Sequence, residues 1–457
     1  MENLPVAIAC GLQTTWAVER QLTFGRYGHV LTNAGVWSPD GDWIVYDTRT
    51  DSEKFTGTRI ERVNVQDGTI DVVYESRDEA ACGVASFSPV APVVVFMHGP
   101  EHPSSRWSYG FTRRYGVICD LREPRLSRHL DAMNYTPPFS PGALRGGSHL
   151  HLFHPDGRWL SFTYEDEVLA QLGEAEGADG NQRNVAVAFE RRVEVNQLHP
   201  RNHAGDYFSV VVSNTVRQAR PGSDEIVRAT DEAWIGLDGY MRKDANRQRR
   251  ALVFQGHVTN GAGQTFVELF VADLPDALTV ANGGAIEGTS LRRPAPPSGV
   301  KQRRLTHTGT RAFPGMQGPR HWPRSSPDGA KIACLMRDDV GVVQLWVVSP
   351  NDGTPVQLTR NKADVASAFS WSPDGRLLAH VLDGSVCVSD AQTGSTFRLT
   401  ELISGAAAPL PLACVFSPNG KKIAYQRPVS TADGSFSQVF VVGVPNVDQL
   451  LSMQVLP

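Results

Sequence analysis

Thirteen histidines are spread unevenly along this chain. Five fall between positions 149 and 203: His149, His151, His154, His199 and His203. His98 and His102 flank the loop Met97-His98-Gly99-Pro100-Glu101-His102, and His321 stands in Pro319-Arg320-His321-Trp322-Pro323. A neutral imidazole can ligate a first-row transition metal, and near neutral pH it can accept a proton. Which of these rings can meet depends on the elements that carry them.

Those elements are marked by a recurring phrase. It reads Trp37-Ser38-Pro39-Asp40-Gly41, Phe87-Ser88-Pro89, Phe153-His154-Pro155-Asp156-Gly157, Ser326-Pro327-Asp328-Gly329, Trp371-Ser372-Pro373-Asp374-Gly375 and Phe416-Ser417-Pro418-Asn419-Gly420. Each copy leads into an apolar, β-prone run such as Trp43-Ile44-Val45-Tyr46 or Leu377-Leu378-Ala379-His380. Strand-rich units repeating about every 45 residues predict an all-β fold, a β-propeller. Proline presets φ, aspartate caps its own backbone and glycine takes positive φ, so one strand reverses tightly into the next.

A second phrase marks the outer strand: Gln21-Leu22-Thr23, Arg304-Leu305-Thr306, Gln357-Leu358-Thr359 and Arg398-Leu399-Thr400. The last repeat lacks one, and an unpartnered copy stands near the N-terminus. The N-terminal strand, Gln21–Phe24, is therefore expected to complete the C-terminal blade, which removes open sheet edges. Seven blades are expected over 20–445, after an extension at 1–19 and before a tail at 446–457. Eight would follow if the strand at 207–212 opened a blade of its own. The stretch 155–327 reads as one degenerate blade holding that strand and the pair at 251–254 and 266–271, interrupted by an insertion near 215–248. Ser223-Asp224-Glu225 reads as the start of a short helix. The segment 283–300 reads as a loop.

Propeller geometry then places the histidines. His149 lies six residues before Pro155, and His321 six before Pro327. At about 3.3 Å per residue both sit roughly 20 Å from their turns, at one mouth of the central channel. His98 ends a strand running the other way and reaches the same mouth. His151 shares a strand side with His149, and Gln317 precedes His321 in its entering loop. His149, His151 and His321 are thus candidate ligands of a divalent metal, with His98 as base. The competing reading is structural polar packing in a water-filled channel. His154 falls on the other face.

Other chemistries find no support. There is no Gly-x-Ser-x-Gly elbow, Walker loop or CxxC pair. A net charge of −4 without a Lys/Arg tract argues against a nucleic-acid partner. No apolar run is long enough to span a membrane. Six scattered cysteines read as buried thiols in a reducing cytoplasm. Met1 to Leu12 has an apolar patch but no basic n-region and reads as no secretory signal; a periplasmic location, to which a likeness of Leu4 to Cys10 to a lipoprotein signal would point, is the minority reading.

The Trp-Ser-Pro-Asp-Gly repeat with its Leu-Thr strands resembles the propeller of TolB-type, WD40-like proteins. With Arg145-Gly146-Gly147-Ser148-His149-Leu150-His151, Pro221-Gly222-Ser223-Asp224-Glu225-Ile226 and Pro319-Arg320-His321-Trp322, the chain resembles an uncharacterised bacterial family labelled TolB-like or biopolymer-transporter-like. The histidine-bearing blades also resemble oligogalacturonate lyases, seven-bladed propellers that hold manganese with histidines and a glutamine and use a histidine base. Phe96-Met97-His98-Gly99-Pro100 is similar to the base-bearing stretch, and Ser148-His149-Leu150-His151 to a metal-histidine strand. Gln317 to His321 is similar to a Gln-x-x-His-x-His segment, with altered spacing and one histidine fewer. This resemblance implies Mn²⁺ and an acidic oligosaccharide, whose carboxylates Arg145, Arg201 or Arg320 would bind. The alternative it leaves is a non-catalytic propeller that binds a protein partner.

Overall fold

The computed structural model describes residues 18–123, 126–446 and 450. The strands form a seven-bladed β-propeller of antiparallel sheets. The first blade contains Trp43–Asp47, Arg59–Asn64 and Ile70–Glu75, with Val30 and Trp37, at the inner-strand position, bridging to Asp47 and Ile44. The second contains Cys82–Phe87, Val93–His98, Tyr115–Asp120 and Ser127–His129. The third contains Gly146–Phe153, Trp159–Asp166, Asn184–Val193 and Gly205–Val211. The fourth contains Ala229–Trp234, Ala251–Thr259, Thr265–Asp273 and Lys301–Arg304. The fifth and sixth begin at Arg324–Ser325 and Ser370–Trp371 and end at Asp352–Gln357 and Thr396–Arg398. The seventh joins Cys414–Phe416, Lys422–Thr431 and Gly434–Gly443 to the N-terminal strand Glu19–Gln21.

The turn phrase works as a hydrogen-bonded unit. Ser38, Ser326 and Ser372 each donate to the aspartate two residues on at 2.5 Å, and Ser417 donates to Asn419 at 2.8 Å. The same hydroxyl accepts the N–H that opens the next strand, from Trp43 or Leu377 at 2.9 Å. Gly41 (φ 76°) takes the left-handed conformation that the reversal needs.

The Leu-Thr pairs lie just past the outer strands. Each threonine is buried, and its hydroxyl accepts a backbone N–H of the neighbouring third strand. The donors are Val439 to Thr23 (2.9 Å), Leu269 to Thr306 (2.9 Å), Leu345 to Thr359 (3.0 Å) and Val386 to Thr400 (3.0 Å). The ring closes as the sequence predicts, although its ladder begins earlier: Glu19 pairs with Val442 and Gln21 with Phe440, and the Leu22 N–H then donates to Val439 O at 2.8 Å.

The stretch between the third and fourth turn phrases is partitioned differently from the expectation. Gly205–Val211 is the outer strand of the third blade, paired with Asn184–Val193, so it opens no eighth blade and does not belong to the fourth. The expected insertion holds the fourth blade's innermost strand, Ala229–Trp234, followed by a small hairpin, Tyr240–Met241 with Arg247–Gln248. That strand escapes notice because Ile235-Gly236-Leu237-Asp238-Gly239 replaces the Ser-Pro-Asp-Gly turn. Residues 221–224 form a turn and bend where a helix was expected. There the Ser223 hydroxyl bonds Arg220 O, and Glu225 pairs with Arg220, both within the loop.

The core lies between adjacent blades, where Phe96, Phe162 and Phe254 are fully buried. Among the described residues Cys82, Cys119, Cys334, Cys387 and Cys414 are buried and unpaired. Cys10, the Leu4–Cys10 stretch and most of the C-terminal tail lie outside the described residues. No helix of the described chain is long and apolar enough to cross a membrane.

Candidate functional site at the channel mouth

Three inner strands share one irregularity. In the second blade Val84 and Ala85 oppose the single residue Phe96; in the third, Leu150 and His151 oppose Phe162; in the fourth, Asp231 and Glu232 oppose Phe254. Each bulge has its first residue in the left-handed region: Val84 (φ 60°), Leu150 (φ 60°) and Asp231 (φ 57°). For side chains of this kind such a conformation costs about 1–3 kcal/mol, and a β-branched residue there is rare. Bulges re-aim side chains, and Val84 and Leu150 line a pocket at the channel mouth.

That pocket has a volume of about 370 Å³. Its polar side chains include Arg49, Arg114, Arg320, His149 and the carboxylate of Glu53, and its aromatic walls are Phe55, Tyr109, Phe111 and Trp322. Arg49 is held in place: Nε and Nη2 donate to Asp47 at 2.7 and 2.9 Å, and Nη1 to Ser52 O at 3.0 Å. Asp47 also accepts the Val84 N–H at 2.7 Å, tying the bulge to the arginine. Arg114 Nη1 donates to the Tyr109 hydroxyl at 3.3 Å, while its Nε is buried with no hydrogen-bond partner among the described residues. Its other neighbour is Glu165 at 3.9 Å, which Arg183 already holds at 2.6 Å. Arg320, at φ 51°, makes no hydrogen bond or ion pair among the described residues; the first charge acting on it is Glu53. Positive charge therefore exceeds its compensation here.

The electrostatics follow from burial. Burial and then the charges of Arg114 and Arg183 push His149 well below its ordinary range, so the ring is neutral. Burial lowers Arg114 and Arg320. At the bulge of the fourth blade, burial raises Asp231, against the charge of His321, and raises Glu232 to about 8.

The structure parts the residues that the sequence grouped. The bulge at Leu150 breaks strand alternation, so His149 and His151 do not share a side. His149 lines the mouth, whereas the His151 ring is buried against Phe162, with Nε2 3.4 Å from Asp131. Asp131 also accepts from the Ser148 hydroxyl (2.6 Å) and the Gly116 N–H (2.7 Å). Burial opposes its charge, but His151 and these donors outweigh it and keep the carboxyl low. Gln317 donates to Pro314 O and accepts from Arg337 at 3.0 Å. His321 bonds Gly318 O through Nδ1 at 2.7 Å. Among the described residues no three His, Cys, Asp or Glu side chains are placed to hold a metal ion together, and surplus guanidinium charge surrounds His149. This donor set does not fit a divalent cation.

His98 reaches the expected end of its blade, pairing with Cys82, but its ring is buried away from the mouth pocket. Nε2 meets the Tyr74 hydroxyl at 2.9 Å and Nδ1 meets Gly99 O at 2.7 Å. Arg145 is wholly buried, paired with Asp166 and bonded to Thr289 O and Arg292 O. It anchors the loop that the sequence expected near 283–300. Arg201 bonds Glu101 O and His102 O beside a separate pocket. Of the expected carboxylate binders only Arg320 lines the mouth. Sequence reading missed Arg49, Arg114, Tyr109 and Asp231. The one available signal was the alternation of aromatic and basic residues in Trp107-Ser108-Tyr109-Gly110-Phe111-Thr112-Arg113-Arg114.

Comparison with known proteins adds a family and a fold. A family described as a protein of unknown function (DUF3748) matches residues 81–203. The uncharacterized protein YidR of Escherichia coli (strain K12) is 44% identical over 413 residues, covering 89% of this chain and 94% of that one. Among solved structures, an oligogalacturonate lyase in complex with manganese aligns with a TM-score of 0.54 at 10% identity, covering 95% of both chains. Another, from Vibrio parahaemolyticus, aligns with a TM-score of 0.55 at 10% identity, also covering 95% of both. A putative TolB from Agrobacterium tumefaciens aligns at only 0.39 and 14% identity, covering 85% of this chain and 98% of its own. These likenesses describe the fold.

Proposed function

The chain belongs to the family of the Escherichia coli protein YidR, and we propose that its channel mouth binds short acidic oligosaccharides and cleaves them by β-elimination. The observation that carries this is the pairing of Arg320 and Arg114, both short of partners, with a neutral His149 inside one aromatic-walled pocket. A guanidinium takes a carboxylate through two parallel hydrogen bonds, and aromatic faces offer apolar area to a sugar ring. The shared fold with oligogalacturonate lyases supports a uronate as the acid.

The chemistry needs no donor that the mouth lacks. A guanidinium on the uronate carboxylate acidifies the adjacent C–H. The bound carboxylate also offsets the arginine charges that depress His149, and the neutral ring accepts that proton. The electron pair forms a C=C bond as the glycosidic C–O bond at the neighbouring carbon breaks, and the Tyr109 hydroxyl, held by Arg114, protonates the departing oxygen. The products are a shortened sugar and an unsaturated uronide.

Short galacturonate oligosaccharides incubated with the protein should generate ultraviolet absorbance from that double bond, with or without a metal chelator. Arg320→Gln should lower kcat/KM by about 10–100-fold. His149→Gln should abolish turnover while sugar binding persists. Activity lost to chelator would contradict the guanidinium mechanism. Absence of both product and binding for all uronides would contradict the whole reading.

A second reading draws on the opposite face. There the aromatic residues and prolines of the turn phrases, among them Trp37, Pro39, Phe87, Trp371 and Pro418, line an apolar funnel of about 420 Å³. A non-catalytic propeller would seat a protein partner there, independently of Arg320 and His149.

A further inference from the structure

A smaller pocket, about 180 Å³, is lined by Glu101, Trp107, His129, Tyr135, Arg201 and His203 among others. Its polar groups differ in kind from those of the mouth. Arg201 is spent on Glu101 O (2.5 Å) and His102 O (3.2 Å), and Arg113 on Glu167 (2.8 Å), so neither guanidinium is free for a carboxylate. The free group is an imidazole. His203 Nδ1 meets Ala204 O at 3.2 Å, but its Nε2 is buried with no hydrogen-bond partner among the described residues. The His129 ring lies 3.9 Å from the His203 ring. Trp107 and Tyr135 meet edge to face at 5.2 Å, and His199 packs on both. Arg113 stacks on Trp107 at 4.5 Å. An unpartnered imidazole set against an aromatic wall suits the hydroxyls and apolar face of a sugar ring, whose own carboxylate would then face solvent.

One strap joins the two pockets. Trp107 lines the smaller one, while Tyr109 and Phe111 line the mouth. Residues 108–110 between them are neither helix nor turn, so Trp107 and Tyr109 stand about 7 Å apart along the strap if it is extended. Arg113 and Arg114, neighbours in sequence, likewise go to different pockets. We infer that the smaller pocket is a second sugar subsite: it takes the ring next to the uronate held at the mouth, binding its hydroxyls through His203 and His129 and its face on Trp107. The inference rests on the reading of the mouth as a uronate site.

Calorimetric titration of the full chain with galacturonate, digalacturonate and trigalacturonate tests it. The parent protein should bind the longer sugars about tenfold more tightly than the monomer. Trp107→Ala and His129→Gln, each checked for unchanged thermal unfolding, should lose that gain and keep the monomer affinity. Because Trp107 is a partly exposed loop residue, its variant is the less exposed to misfolding. A length gain that survives in both variants, or no gain in the parent, would overturn the second subsite and leave the mouth reading standing. No binding of any of the three sugars by the parent would overturn the mouth reading and this inference with it.

Discussion

Three side chains show how far a residue can be read without its neighbours. His149 was legible: its distance from the turn phrase places it at the mouth, where it lies. His151 and His98 were not, because both predictions assumed regular strand alternation and open surroundings. A left-handed Leu150 and a tyrosine-lined cleft between blades cannot be seen in a spacing. Nor can the ionisation of Glu232, which burial raises to about 8, with Asp231 raised beside it. A carboxyl raised in the fold stabilises it fully below its unfolded value of 4.5 and loses that contribution as pH climbs towards 8. Buried histidines carry the opposite sign. Burial, with neighbouring charges in the first two, takes His203 to about 3 and His257 to about 4, and burial takes His380 to about 4, so stability is lost as pH falls below 6.5. Thermal stability should therefore peak near pH 6.5 and decline towards pH 8, by at most about 1.4 kcal/mol per pH unit for each such carboxyl. Glu232→Gln should flatten the alkaline decline. Parallel curves for the two proteins between pH 6.5 and 8 would assign the decline to other groups.

At the scale of the element, the turn phrase and the Leu-Thr pair were legible because each is a local hydrogen-bonding device with a fixed sequence. The bulges were not, since a bulge is a relation between two strands. The fourth blade's inner strand was hidden because a Gly-Leu-Asp-Gly turn does the work of the usual phrase. The Leu-Thr device can be tested where it closes the ring. Thr23 donates to Gln438 Oε1 at 2.8 Å and accepts the Val439 N–H at 2.9 Å. Thr23→Val keeps the shape and leaves both partners buried and unpaired, at a cost of about 2 kcal/mol. Denaturant unfolding should register that loss as a lowered midpoint with little change in slope. A midpoint equal to the parent's would mean that the latch adds nothing to closure.

At the scale of the molecule, the ring architecture and its N-terminal closure followed from the repeats, and the position of His149 at the mouth followed from its distance to the turn phrase. What the mouth is made of did not follow. The arginines come from the first, second and fifth blades, at Arg49, Arg114 and Arg320, and only the closed ring brings them to one pocket. We propose that this convergence suits the end of the channel to an anion. The most direct test is a structure of the protein bound to digalacturonate. A uronate carboxylate within about 3 Å of the Arg320 or Arg114 guanidinium, with its ring beside His149, is the predicted result. A sugar seated in the apolar funnel at the opposite face, or a carboxylate held by groups other than these arginines, would contradict the account.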